Sequence, residues 1–156
     1  ILPFADELLS RAGISVRDLD AIACVVGPGS FTGIRIGVST AHALARATGA
    51  KLIALNSLQV RAFGEKGSFA VALQCRPTES YLARFDGDWL HMSECRAAQE
   101  SEIAALVIKV VRHEGSLKAE TMAAAAEYLA QSGAFVPSLS PLYLKKSQAE
   151  RLADGN

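Results

Sequence analysis

The stretch from Gly27 to Gly33, GPGSFTG, is the part of this sequence best placed to do chemistry. Glycines between a strand and a helix leave backbone N–H groups free to meet an anion. The patterns that cradle phosphate need more than glycine, however. A Walker loop carries Lys-Ser/Thr after its last glycine, whereas Gly33 is followed by Ile34-Arg35. A dinucleotide fingerprint needs glycine where Thr32 stands, and an acidic residue near position 50, where none occurs. Ser30 is not framed as a nucleophile, because Pro28 and Thr32 occupy the glycine positions of G-x-S-x-G. Its expected role is to cap the helix that follows. A tight turn with helix packing accounts for the loop.

The other reactive side chains are scattered. His42, His91 and His113 form neither HxxxH nor HExxH, so no metal site is expected. Cys24, Cys75 and Cys95 make no CxxC pair, and Cys24 reads as a small core residue within an apolar strand. Arg35 stands between Ile34 and Ile36, and two readings stay open for it. It either covers apolar surface at the helix edge or holds a carboxylate across an interface. Arg76, Glu79 and Tyr81 read as a solvated hairpin, and Lys145, Lys146 and Arg151 as a solvated tail diluted by Glu150 and Asp154.

These residues need elements to position them. Apolar residues at 1, 2, 4, 5, 8, 9 and 12 predict a helix over 1–12, stopped by Gly13. Ser15 and Asp18 predict a short capped turn. A strand is expected over 21–26, a long helix over 30–48 ended by Gly49, and a strand over 51–55 that is apolar on both sides. Asn56-Ser57 caps a short helix toward Phe63, and 64–67 reads as a hinge. Two β-rich runs, 68–74 and 80–85, flank a Pro77 turn, and Asp86-Gly87-Asp88 turns into a third run over 89–92. A helix over 100–106, a strand over 107–111 and an alanine-rich helix over 118–131 follow, then a proline-punctuated tail. This order is an α/β unit followed by an antiparallel meander. A first sheet of two strands is too small to stand alone, and the chain opens inside a helical pattern, so N-terminal strands are expected to be missing from it.

The remaining signal is association. Gly33, Gly37, Ala41 and Ala45 recur every four residues, and a glycine within a helix costs roughly 1 kcal/mol against alanine. The expected return is close approach by another polypeptide, with the first helix supplying an apolar stripe wider than its own core needs. The alternative is that both helices cover their own sheet.

The totals exclude several classes. Sixteen Lys and Arg balance sixteen Asp and Glu, so there is no general basic excess for nucleic acid and any RNA contact must be local or shared. No apolar run approaches the roughly 18 residues of a membrane helix, and no signal peptide is visible. Half the residues are hydrophobic, enough for a core. A cytoplasmic protein is expected.

The segments PFADELL, DLDAIACVVGPGSFTGIRIGVSTAHALA, LIALNSL and SPLYLKKSQAERL resemble the bacterial TsaB (YeaZ-like) family. The likeness covers the first sixty residues almost continuously and the last fifteen. GPGSFTGIRIG is shared in looser form with the related TsaD family. The resemblance implies an actin-like ATPase (ribonuclease H-like) fold of two similar lobes. Here these are a first lobe over 1–63, a second over 68–140 and a tail over 141–156. It implies a non-catalytic subunit that binds and activates a TsaD-like transferase, which modifies the adenosine beside the tRNA anticodon. A TsaE-like ATPase joins the larger complex, a homodimer forms in the absence of TsaD, and tRNA is met only through the complex. No cofactor or catalytic residue is implied. The older peptidase label came from kinship with TsaD, whose metal-binding histidine pair this chain lacks.

The partner face that the resemblance implies falls on 1–12 and 33–45. Its candidate residues are Leu2, Phe4, Ala5, Leu8, Gly33, Arg35, Gly37, Ala41, His42 and Ala45. The family's opening strands with their Asp-Thr turn are absent here. Gln74-Cys75-Arg76 replaces the family's Asp-Ala-Arg stretch, and 96–118 matches poorly. The alternative function is an ATP-binding enzyme of the actin-like superfamily transferring phosphoryl or acyl groups. It would need magnesium-binding carboxylates and a phosphate loop. A homodimeric structural protein would share the same face.

Overall fold

A computed structural model describes residues 1–112 and 115–144. His113 and the Lys145, Lys146, Arg151 cluster lie outside the described residues.

Helix α1, Leu2–Ala12, starts with proline in its first turn and ends where Gly13 turns left-handed at φ 69°. A single 3₁₀ turn, Val16–Asp18, is held by the expected reciprocal cap. The Ser15 N–H donates to Asp18 at 2.7 Å, and the Arg17 N–H donates to Ser15 Oγ at 3.3 Å. Strand β1, Ala21–Gly27, then runs parallel to β2, Lys51–Asn56, with Ala21 opposite Lys51 and Val25 opposite Leu55. Between them lies α2, Phe31–Thr48, capped by Ser30, whose Oγ accepts from the Gly33 N–H at 3.2 Å. Asn56 caps α3, Ser57–Arg61, by accepting from the Leu58 N–H at 2.8 Å.

The second sheet has the order β5-β4-β3-β6. Strands β3, Phe69–Arg76, β4, Glu79–Phe85, and β5, Met92–Gln99, form an antiparallel meander. A short helix α4, Glu100–Ala104, leads to β6, Lys109–Arg112, which lies parallel to β3. Helix α5, Ala119–Gln131, closes the described order.

Two expectations shift. The third meander run is not 89–92 but β5, seven residues further on at its end. Asp88 explains why: its Oδ1 accepts from the Leu90 N–H at 2.8 Å and pairs with His91, which prolongs the turn. Trp89 instead enters the core, 4.9 Å from the Phe63 ring and 5.5 Å from that of Tyr128. The hinge over 64–67 is tied down, because Gly67 and Gly87 exchange backbone hydrogen bonds at 2.8 and 3.2 Å.

The main core lies between the sheets and joins Ile53, Leu55 and Leu58 to Phe69, Val71, Phe85 and Ala125. A second cluster, under α2, holds Val26, Ile34, Val38, Ala41, Ala45, Leu52 and Leu139. Strand β2 feeds both, as its double-sided apolar pattern requires. Among the described residues β1 pairs along one edge only. An apolar groove of about 430 Å³ borders it, lined by Ile22, Cys24, Gly37, Leu44 and Met122.

Candidate partner-binding face

Helix α1 buries none of its residues. Leu2, Phe4 and Leu8 are 55, 72 and 65% exposed, and Ala5 is half-buried. Beside them an apolar groove of about 400 Å³ runs between Leu2, Ala5, Leu8, Leu9, Leu19 and Leu44. So much contiguous apolar surface on one helix is more than scattered surface residues give.

The small-residue row on α2 does not face one way. A step of four residues advances about 40° beyond a full turn, so three steps carry the row about 120° around the helix. Gly33 is exposed and Gly37 is half-buried, with the position of a Cβ there 3.6 Å from Cys24 Sγ. Ala41 and Ala45 are buried in the core beneath α2. This corrects the expectation for these two alanines: their own sheet covers them. Gly33, Ile36, Thr40 and Leu44, stepping by three and four, share another side of α2, and of these Leu44 lies against α1. Ile36 is exposed and was missed because it was read only as a neighbour of Arg35. An i, i+3, i+4 count from Gly33 would have found it.

Arg35 and His42 lie on the other flank. Arg35 stands over the Phe31 ring, its Cζ 5.6 Å from the centroid. His42 Nε2 accepts the Leu139 N–H at 3.0 Å and fastens the returning C-terminal segment to α2. The structure therefore brings Leu2, Ala5 and Leu8 together with Leu44 of α2, and places Arg35 over Phe31 and His42 against Leu139 elsewhere on that helix.

The glycine-rich loop is filled from within. Leu142 donates its N–H to Val26 O at 2.7 Å, and Ser57 Oγ donates to Pro28 O at 2.5 Å. Ser30 spends its oxygen on the helix cap. Elsewhere, Arg76 pairs with Glu79 at 3.5 Å, and Gln99 donates to the same carboxylate at 3.2 Å. Burial raises the thiol pKa of Cys24 and of Cys95. No group of three or more His, Cys, Asp or Glu side chains gathers into a metal site among the described residues. Nor is any described helix long and apolar enough to cross a membrane.

A parallel β–α–β pair sharing its core with a mixed four-stranded sheet is an actin-like ATPase (ribonuclease H-like) arrangement. Solved structures agree. A Pseudomonas aeruginosa protein described as similar to peptidase YEAZ superposes with a TM-score of 0.72 at 24% identity, over 92% of this chain and 82% of its own. YeaZ from the same organism gives 0.69 at 22% over the same shares. In sequence, the TsaB tRNA threonylcarbamoyladenosine biosynthesis protein of Escherichia coli is 36% identical over 112 residues, 66% of this chain and 48% of that protein. The TsaB protein of Haemophilus influenzae is 33% identical over 54% of this chain and 38% of its own. The tRNA N6-adenosine threonylcarbamoyltransferase of Rhizobium meliloti is 48% identical over 54 residues, 35% of this chain and 15% of its own. This chain thus spans half or less of these curated relatives. The family model described as TsaD: tRNA N6-adenosine threonylcarbamoyltransferase matches residues 1–138. The chain belongs to that family, and within it to the TsaB (YeaZ-like) members.

Proposed function

We propose that this chain is a non-catalytic subunit that binds and activates a TsaD-like transferase in making threonylcarbamoyladenosine on tRNA. The observation that carries the reading is the apolar face of α1, left uncovered among the described residues and continued by Leu44 on α2. A partner of the same fold would lay its own helices there, and the absent side chain at Gly33 lets the backbones come close. Without that partner a second copy takes its place, and a TsaE-like ATPase joins the cytoplasmic complex. The ATP-binding alternative finds less support, because the loop at 27–30 is occupied by the chain's own Leu142 and Ser57.

The test is co-purification with a TsaD-like subunit. Leu8→Glu and Phe4→Glu replace exposed residues, so the monomer should keep its stability within about 0.5 kcal/mol. Association should weaken by at least tenfold, roughly 1.4 kcal/mol, because a charge is placed in a desolvated contact. Wild-type affinity in both variants would overturn the face. Micromolar ATP–magnesium binding by the chain alone, read by calorimetry, would favour the enzyme.

A further inference from the structure

Helix α2 has a second flank, turned away from α1. Arg35, His42 and Arg46 fall on it within about 40° of one another around the axis. Arg35 and Arg46 stand about 16 Å apart along it. Aromatic rings accompany the two arginines at both ends. At the N-terminal end Phe31 stacks on Tyr143 with centroids 4.5 Å apart, both rings are exposed, and Arg35 lies over Phe31. At the C-terminal end Lys51 Nζ sits 4.5 Å from the Phe135 centroid. There an open groove of about 550 Å³ is lined by His42, Arg46, Lys51, Phe135 and Pro137.

Helix α2 and strand β2 contribute no carboxylate to the flank, and Asp20, whose carbonyl accepts the Lys51 N–H at 2.9 Å, borders it. Residues 21–64 contain four Lys and Arg and no Asp or Glu, and residues 128–144 contain no charged side chain. The chain as a whole is balanced at sixteen of each sign, so this is local segregation of charge. Arg35, Arg46 and Lys51 make no ion pair among the described residues. Most other arginines here do, Arg84, Arg96 and Arg112 among them.

We propose that this flank binds single-stranded nucleic acid. Unpaired cations at these spacings meet backbone phosphates, and the exposed Tyr143 ring extends the Phe31 stack to a base. An acidic peptide would satisfy the cations but leave the rings without a planar partner. The surface is distinct from the α1 face, so the proposal stands whether or not that face binds a protein.

The test is fluorescence anisotropy of a labelled RNA about twelve nucleotides long, and of DNA of the same sequence, titrated with the full chain at several salt concentrations. Wild type should bind both, with affinity falling as salt rises, and a preference for RNA would add a contact to the 2′-hydroxyl. Arg35→Gln with Arg46→Gln should weaken binding at least about tenfold and lower the salt slope by about one, while the double lysine variant restores both. Tyr143→Leu keeps apolar bulk on Phe31 and should lose about fivefold or more through the missing stack. Circular dichroism confirms the fold of each variant. Absence of salt-dependent binding by wild type would overturn the proposal. So would undiminished binding in both the double glutamine variant and Tyr143→Leu.

Discussion

Gly27 and Gly37 are glycines for different reasons, and substitution separates them. Gly27 has φ 121°, and a Cβ there would stand 2.6 Å from the Leu142 carbonyl oxygen. Both the backbone conformation and the neighbouring backbone exclude a side chain, so Gly27→Ala should cost about 2 kcal/mol or more in urea unfolding. At Gly37 a Cβ would meet Cys24 Sγ at 3.6 Å, an ordinary contact, in a helical conformation. Gly37→Ala should therefore stabilise the chain by roughly 0.5–1 kcal/mol in the same measurement. A loss of stability there would mean that Cys24 cannot move to receive the methyl. The caps at Ser30 and Asn56, the Ser15–Asp18 box and the stops at Gly13 and Gly49 were legible in the sequence because each is set within a few residues. The need for glycine at 27 was not, since its cause arrives from the far end of the chain.

At the scale of elements, helices and the parallel pair were readable from period and punctuation, whereas β5 was displaced. Its Glu94 pairs with Arg84 and Arg96, Arg96 pairs with Glu102, and Ser93 donates to the Arg84 carbonyl, and such an edge strand shows no apolar alternation. The row on α2 was misread through geometry rather than chemistry: four-residue spacing looks straight in a sequence and winds inward on a helix. One element junction also carries a pH dependence. Glu100, at the start of α4, accepts from Arg112 at 2.8 Å on β6 and from the buried Ser80 on β4. The Arg112 hydrogen bond first, and Ser80 second, hold its carboxyl below the usual glutamate range. A carboxyl depressed in the folded state stabilises the fold above its unfolded pKa, and that stabilisation is lost as pH falls through the folded value. Melting temperature should accordingly fall with pH below the usual glutamate range. Glu100→Gln should shallow that fall, and because Glu100 and Arg112 are both partly in solvent the effect should be small. An identical pH profile in the variant would remove Glu100 from the account.

In the whole molecule, α2 is the element that joins the first sheet to the returning C-terminal segment. Its inner side packs on β1 and β2, and the returning segment fastens to it through His42 and Leu139 while Val136 pairs with Leu52 and Leu142 with Val26. That segment brings Phe135 and Tyr143 to one flank, and α1 lies at the other. Anchored along its inner face, α2 cannot tilt toward one flank without disturbing packed core on the opposite side. The two outer faces should thus act independently. In the variant combining Leu8→Glu with Tyr143→Leu, the losses in association mass by light scattering and in RNA anisotropy should each equal those of the single variants, within about 0.5 kcal/mol. A larger coupling would mean that α2 shifts as a body when either face is altered, and that occupancy of one face is felt at the other.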